Sequence, residues 1–257
     1  MFTTVTRILV LALAFATALV TALSSAHAED AHHDHAAMQA AKTQFAGDPY
    51  LLSTDPVSGG SLGDKPLIYQ HEGRELRFTD QKSIETFKAD PTKYLPQVDQ
   101  QMIAQQLPFY PLSTCMVSGD KLGGDMGKPV DLIYKNRLVR FCCPDCIKDF
   151  NKDPDKFITK LNEAVIAKQA PAYPMTACMV SGDKLGGDMG KPVDLVVGNR
   201  LVRLCCPDCL KDFSKNPAKF LKMIDDASQK KSAASKSGSS DGPAKTPDPT
   251  MPPGHQH

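Results

Sequence analysis

The sequence predicts an α+β protein built from three small repeats in tandem, with disordered termini. Three observations support this prediction. Residues 115–132 are identical to residues 178–195, an offset of 63 positions. Each copy continues into two short segments in which apolar and polar residues alternate, which is typical of a β-hairpin. Each copy then ends in two short amphipathic segments that suit helices, the second beginning at Asp153-Pro154 or Asn216-Pro217.

Within a repeat, the elements follow a fixed order. A turn-rich stretch comes first, at residues 115–127 in the second repeat; we call it the knuckle. Strands are predicted at Val130–Tyr134 and Arg137–Phe141, joined by the two-residue turn Lys135-Asn136. Pro144 suits the first turn of the helix that follows. The cysteine-bearing repeats are assigned to residues 110–168 and 172–227.

A degenerate repeat without cysteines precedes them at residues 48–99. Its apolar frame matches, but each cysteine of the second repeat is replaced. Cys115, Cys142, Cys143 and Cys146 correspond to Asp55, Thr79, Asp80 and Ser83. We expect this repeat to be a structural unit or a docking module, and an oxygen-ligand site built from Asp55 and Asp80 is the alternative.

The two ends of the chain predict export. Arg7, the apolar run Ile8–Leu23 and Ala26-His27-Ala28 are typical of a signal peptide at residues 1–28, with an uncleaved anchor as the alternative. We therefore expect a periplasmic or secreted protein. Residues 29–47 and 228–257 lack the apolar residues needed to build a core and are predicted to be disordered. Their histidines either capture metal weakly or belong to solvated tails: His32, His33, His35, His255 and His257.

Charge and composition exclude several functions. A formal net charge of +1 argues against a nucleic-acid surface. No later segment is apolar enough to insert stably into a membrane once the signal is cleaved. No Ser-His-Asp set, phosphate-binding loop or acid pair indicates catalysis, so we do not expect an enzyme.

All eight cysteines belong to the two later repeats and form two equivalent sets. The sets are Cys115, Cys142, Cys143 and Cys146, and then Cys178, Cys205, Cys206 and Cys209. Cys142 and Cys146 are four residues apart, so one helical turn brings both to the same side. Thiolates at such spacing bind Zn(II) or Cu(I). Two alternatives remain: disulfides, as in many secreted chains, and thiol–disulfide exchange through the Cys-x-x-Cys pair.

These motifs resemble the TRASH/YHS-type heavy-metal-binding domains. The resemblance rests on Cys-x-x-Ser-Gly, a hairpin, Phe-Cys-Cys-x-x-Cys and Asp-Pro-x-x-Phe. It implies a treble-clef or zinc-ribbon-like fold and a role in metal sensing, trafficking or resistance. It also implies six ligands: Cys115, Cys142, Cys146, Cys178, Cys205 and Cys209. Ser118 and Ser181 stand where many members have a second knuckle cysteine, so the fourth ligand is open between Cys143 and Cys206, Met116 and Met179, or water.

Together these observations predict an exported metal-binding protein. We expect about one Zn(II) or Cu(I) ion in each cysteine-bearing repeat, held for buffering, trafficking or resistance. A metal efflux or delivery protein is the expected partner. The main alternative is an extracellular interaction module stapled by disulfides.

Overall fold

A computed structural model describes residues 47–237. The predicted signal peptide, the histidine-containing segment up to residue 46, and residues 238–257 with the terminal histidines lie outside the described residues. Among the helices of residues 47–237, none combines the length and the apolar character that crossing a bilayer requires.

The described chain contains three copies of one arrangement, a two-stranded antiparallel sheet followed by two helices. The first repeat contains β1 (Leu67–His71), β2 (Arg74–Phe78), α1 (Gln81–Ala89) and α2 (Pro91–Gln106). The second contains β3 (Val130–Tyr134), β4 (Arg137–Phe141), α3 (Asp145–Phe150) and α4 (Pro154–Gln169). The third contains β5 (Val193–Val197), β6 (Arg200–Leu204), α5 (Cys209–Lys215) and α6 (Pro217–Ser237). The α+β class and the repeat pattern are thereby confirmed.

Two-residue turns set the register of the hairpins. In the second repeat, Val130 pairs with Phe141 and Tyr134 with Arg137. The turn residues Lys135 and Asn136 both have positive φ angles, 47° and 68°. Such turns match the right-handed twist of the strands, and asparagine and glycine tolerate the conformation best. The predicted strands and turn are confirmed.

Aspartates and prolines set the starts of the second helices. The Asp90 carboxylate accepts the backbone N–H of Lys93 at 3.3 Å, and Asp153 accepts that of Lys156 at 3.2 Å. A proline follows each cap at the first helical position, as predicted. The last helix differs from expectation at its other end. It continues to Ser237, past residue 228, where we predicted the disordered tail to begin.

Glutamines at the ends of α2 and α4 join each repeat to the next. The Gln106 amide donates to the carbonyl of Asn136 at 2.8 Å and accepts the N–H of Leu138 at 2.8 Å. Gln169 does the same with Asn199 and Leu201, at 2.9 and 2.8 Å. The second helix of one repeat therefore packs against the hairpin of the following repeat.

Asp48 connects all three repeats. Its carboxylate accepts two hydrogen bonds from the Arg137 guanidinium, at 2.5 and 2.7 Å, and one from the N–H of Gly198 at 2.6 Å. The Arg77 guanidinium of the first repeat also reaches the carbonyls of Ser214 and Lys215. The sequence left open whether the repeats pack together, and these contacts show that they do.

Candidate metal centre

The knuckle places the first thiol of the second repeat. The N–H of Cys115 donates to the carbonyl of Asp120 at 2.7 Å, and the N–H of Gly119 donates to the carbonyl of Cys115 at 2.9 Å. Gly119 has a φ of 85°, which other residues rarely adopt. Asp183 and Gly182 repeat both bonds around Cys178, at 2.7 and 2.8 Å.

The junction between strand and helix supplies two more thiols. Strand β4 ends at Phe141, so Cys142 directly follows a buried strand, and Cys146 lies in the first turn of α3. Their Sγ atoms are 3.7 Å apart. Phe141 and Phe150 pack edge to face beneath this junction with ring centroids 5.4 Å apart. The apolar frame therefore fixes the direction from which the two thiols reach the knuckle.

Each cysteine-bearing repeat brings three thiols together in a buried triad. The Sγ atoms of Cys115, Cys142 and Cys146 all lie within 4.8 Å of one another, as do those of Cys178, Cys205 and Cys209. The exposed fraction is at most 7% for any of the six residues. All six were predicted as ligands, and the structure brings them together as two equivalent sets. These cysteines also belong to the apolar cores of their repeats, and three sulfurs this close together could hold a soft metal ion.

Charge in the triad is concentrated on the knuckle thiol. Burial raises the pKa of Cys115, but the backbone N–H groups of Ser118, Cys142 and Val117 outweigh this effect, and the pKa falls to about 7. The same arrangement lowers the pKa of Cys178 to about 7. Near neutral pH, each triad therefore contains one thiol that ionises readily.

The other two thiols of each triad favour their protonated form. The Ser118 hydroxyl and the Cys146 thiol lower the pKa of Cys142, but burial and the thiols of Cys115 and Cys143 raise it more. Burial, followed by the hydrogen bonds with Cys142 and Cys143, raises the pKa of Cys146. Cys205 and Cys209 are shifted in the same directions. An ion that binds here must displace these protons.

The fourth thiol of each set lies beside the triad. Cys143 and Cys206 are half-buried. The Cys143 Sγ is 3.7 Å from that of Cys146, and the Cys206 Sγ is 3.7 Å from that of Cys209. The backbone N–H of Cys146, at the start of α3, lowers the pKa of Cys143. These two residues are the most exposed cysteines of the two sets.

Two polar neighbours of the triad were not predicted from the sequence. The Ser118 hydroxyl lies 3.3 Å from the Cys142 Sγ, and an Asp120 carboxylate oxygen lies 3.9 Å from it. Ser181 and Asp183 repeat these distances at Cys205. One signal was available: the first repeat lacks cysteines and also has Gly60 in place of Asp120. The aspartate therefore accompanies the thiols.

The methionines considered as fourth ligands pack in the core. Met179 is 7% exposed and belongs to the cluster around Val202 and Phe213. Met116 packs, partly buried, against two core clusters. Packing accounts for both side chains.

In the first repeat, a carboxylate replaces the knuckle thiol. Asp55 is 2% exposed, and it accepts the N–H groups of Val57, Ser58 and Thr79 at 2.8, 3.0 and 2.8 Å. The Thr79 hydroxyl adds a fourth bond at 3.0 Å. The residues equivalent to these three N–H donors are those that lower the pKa of Cys115. The first repeat therefore has an anionic group at the position of the knuckle thiol, but its donor atom is oxygen and not sulfur.

The remaining replacements in the first repeat are also hydrogen-bonded. The Asp80 carboxylate accepts the N–H of Ser83 at 2.8 Å and caps helix α1. Asp55 and Asp80 were considered together as an oxygen-ligand site. Their bonds instead join the knuckle, the end of β2 and the start of α1, and this accounts for both carboxylates.

The arrangement of the triads determines what chemistry is available. A tetrahedral Zn(II) ion with Zn–S bonds of about 2.3 Å separates its sulfurs by about 3.8 Å. The Cys142–Cys146 and Cys205–Cys209 Sγ–Sγ distances, 3.7 and 3.6 Å, are close to this value, and the knuckle sulfurs lie within 4.8 Å of both partners. They exceed the length of a disulfide bond, about 2.05 Å, and all eight cysteines are free. No known family model, curated protein or solved structure matches the chain at a significant level.

Proposed function

We propose that this chain is an exported heavy-metal-binding protein that holds one soft metal ion in each buried triad. Its role is buffering, trafficking or resistance, and it requires no catalytic turnover. The observation that supports this proposal is the recurrence of the same three-thiol geometry in two repeats. Export, to the periplasm or the outside, rests on the N-terminal sequence.

The donor set favours soft ions. Three sulfurs within 4.8 Å suit Cu(I), which accepts low coordination numbers, and Zn(II), which takes a fourth ligand. Asp120, Cys143 or water are the fourth ligands within reach of the first triad. A metal efflux or delivery protein is the proposed partner. We also propose that each repeat has a treble-clef-like fold.

An ion would also connect two parts of the fold. Units of roughly 55 residues bury little apolar surface and commonly need a cross-link. In the first repeat, Asp55 joins the knuckle to Thr79 by hydrogen bonds. An ion in the triad would join Cys115 to Cys142 at the equivalent place. Part of its binding free energy would then stabilise the fold.

The test is metal content measured together with free thiols on anaerobically prepared protein. We expect two ions per chain, one for each triad, and eight thiols once the metal is removed. The double variant Cys115→Ser, Cys178→Ser is the matched control and should lose both ions. Fewer than one ion per wild-type chain, with the thiols blocked as disulfides, would refute the proposal in favour of a disulfide-stapled module. Reduction of insulin by the wild-type protein would instead indicate a thiol–disulfide oxidoreductase.

A further inference from the structure

Cys143 and Cys206 differ from the triads in their exposure. Both are half-buried, whereas no triad cysteine exceeds 7% exposure. Each lies 3.7 Å from a triad sulfur, Cys146 or Cys209. Cys206 also lies 3.8 Å from Cys205. The same placement therefore occurs twice, between solvent and the buried sulfurs.

Helix capping does not require a cysteine at this position. In the first repeat Asp80 occupies it, and its carboxylate accepts the N–H of Ser83 at 2.8 Å. Cys143 faces the equivalent N–H, that of Cys146, while the N-cap residues of α3 and α5, Pro144 and Asp208, form no side-chain cap hydrogen bond. Aspartate is among the best capping residues, and its loss typically costs about 0.5–2 kcal/mol. The two cysteines thus occupy a position where aspartate serves the fold better.

We propose that Cys143 and Cys206 are transfer thiols, which exchange a soft metal ion between the buried triads and thiolate-bearing carriers. This inference rests on the proposed function, since it requires ions in the triads. It goes further because it identifies the chemical class of the partner as a thiolate carrier, either a small thiol or a cysteine-bearing protein. It also explains why each set has four thiols around three buried positions.

The exchange proceeds by successive ligand replacement without a change of oxidation state. The thiolate of Cys143 forms a bond to the ion while one carrier thiolate leaves and takes up a proton from solvent. Cys146 then binds the ion, and its own proton passes to water. Cys142, whose proton passes to water, and the Cys115 thiolate then replace the remaining carrier thiolates, which take up protons from solvent, and Cys143 is released as a thiolate. Departure of the ion follows the same steps in reverse.

The exposed position of these sulfurs limits where a carrier can approach. Pro144 and Asp145, which follow Cys143, are both exposed. Cys115 and Cys142 are at most 2% exposed, so a carrier cannot reach their sulfurs unless the surrounding residues move. Ligand exchange requires direct access of the incoming sulfur. Cys143 therefore provides the accessible first contact at this end of α3.

Transfer kinetics on the full chain test this inference. Wild-type protein is loaded with Zn(II) and, separately, with Cu(I). Loss of the ion to excess glutathione, and to a single-cysteine carrier peptide, is then followed by stopped flow. The variants are Cys143→Asp with Cys206→Asp, which copies the first repeat and preserves the cap, and Cys143→Ser with Cys206→Ser. Circular dichroism confirms that each variant is folded.

We expect both double variants to hold two ions per chain and to transfer them at least about tenfold more slowly, because no neighbouring thiol raises the local sulfur concentration. Slowing with glutathione alone would identify small thiols as the carriers, and slowing with the peptide would extend the inference to proteins. Equal rates for wild type and variants with both carriers would overturn it. Loss of an ion from the variants would also overturn it, since Cys143 would then be a permanent ligand. Wild-type protein that binds neither ion would refute the proposed function itself.

Discussion

Replacing Asp55 with alanine tests the idea that a carboxylate holds the first repeat together. Asp55 is buried, and its oxygens accept three backbone N–H bonds and one hydroxyl bond, all of 2.8–3.0 Å. Asp55→Ala leaves three N–H donors without a partner. An unpaired buried donor costs about 1–3 kcal/mol. Ser58 and Thr79 are exposed residues that water can reach, so the lower end of that range applies.

The expected loss is therefore about 3 kcal/mol in the free energy of unfolding of the ion-free chain. For a protein of this size, that corresponds to a fall of about 6–12 °C in the midpoint of thermal unfolding. Circular dichroism during heating and urea titration measures the loss. Amide hydrogen exchange should place it at residues 53–61 and around Thr79. Asp55→Asn keeps one acceptor oxygen and should lose about half as much.

Asp64 provides the matched control, because it is an exposed aspartate of the same repeat. Asp64→Ala should change the free energy of unfolding by less than about 0.5 kcal/mol. The two triads should still take two ions in Asp55→Ala, since neither contains this residue. If Asp55→Ala proved as stable as Asp64→Ala, the role assigned to the carboxylate would be wrong.

Three further predictions concern the triads and the repeat contacts. Above pH 7, ion binding should release about two protons per triad, and about three below it. The reason is that the pKa of Cys115 is about 7 while those of Cys142 and Cys146 are raised. Calorimetry in two buffers of different ionisation enthalpy measures the number of protons released. An affinity for the ion that does not depend on pH would contradict this prediction. Restoring thiols to the first repeat should create a third site, so metal analysis should find three ions per chain instead of two for the variant with Asp55→Cys, Thr79→Cys and Ser83→Cys. Gln106→Ala should destabilise the chain by about 2–3 kcal/mol in urea unfolding, because it leaves the Asn136 carbonyl and the Leu138 N–H without their hydrogen-bond partner. Gln101→Ala, at an exposed position of the same helix, is the control. Equal effects of the two substitutions would refute the coupling between the repeats.

The pH dependence of ion-free stability has a defined sign. Cys115 has a folded pKa of about 7, below its ordinary value of 9.0, so its contribution is complete above pH 9 and is lost as the pH falls through 7. The folded pKa of Cys146 is raised, so its contribution is present below pH 9 and is lost above it. Stability of the ion-free chain should therefore rise from pH 7 to 9 and then decline.

The local features of the fold were predictable from the sequence. Strand alternation and the Lys135-Asn136 turn set the hairpin, and Asp153-Pro154 set the helix start, because each depends on residues adjacent in the chain. The triads were predictable for a similar reason. Cys142 and Cys146 lie one helical turn apart, and the identical copies indicated that the knuckle cysteine, Cys115, belongs to the same set.

The contacts between repeats were not predictable in this way. Gln106 and Asp48 carry no periodic signal, and their partners lie 30 or more positions away in the chain. The end of α6 was missed for another reason. Residues 228–237 lack large apolar side chains, but they contain alanine, lysine and glutamine, which favour helix. The Ser228 hydroxyl bonds back to the carbonyl of Ile224 within this helix, at 2.9 Å.

The first repeat is an internal control for the meaning of the thiols. It has the same hairpin and two helices, and its knuckle closes through Asp55 without any sulfur. The requirement at the knuckle is therefore met by a carboxylate and a hydrogen-bonded junction, which aspartate and threonine supply without sulfur. Three buried thiols meet the same requirement less well, since two of them hold raised pKa values and remain protonated. Under the function we propose, a soft ion would replace those protons in both later repeats, so binding would be the role of the sulfurs and added stability its consequence.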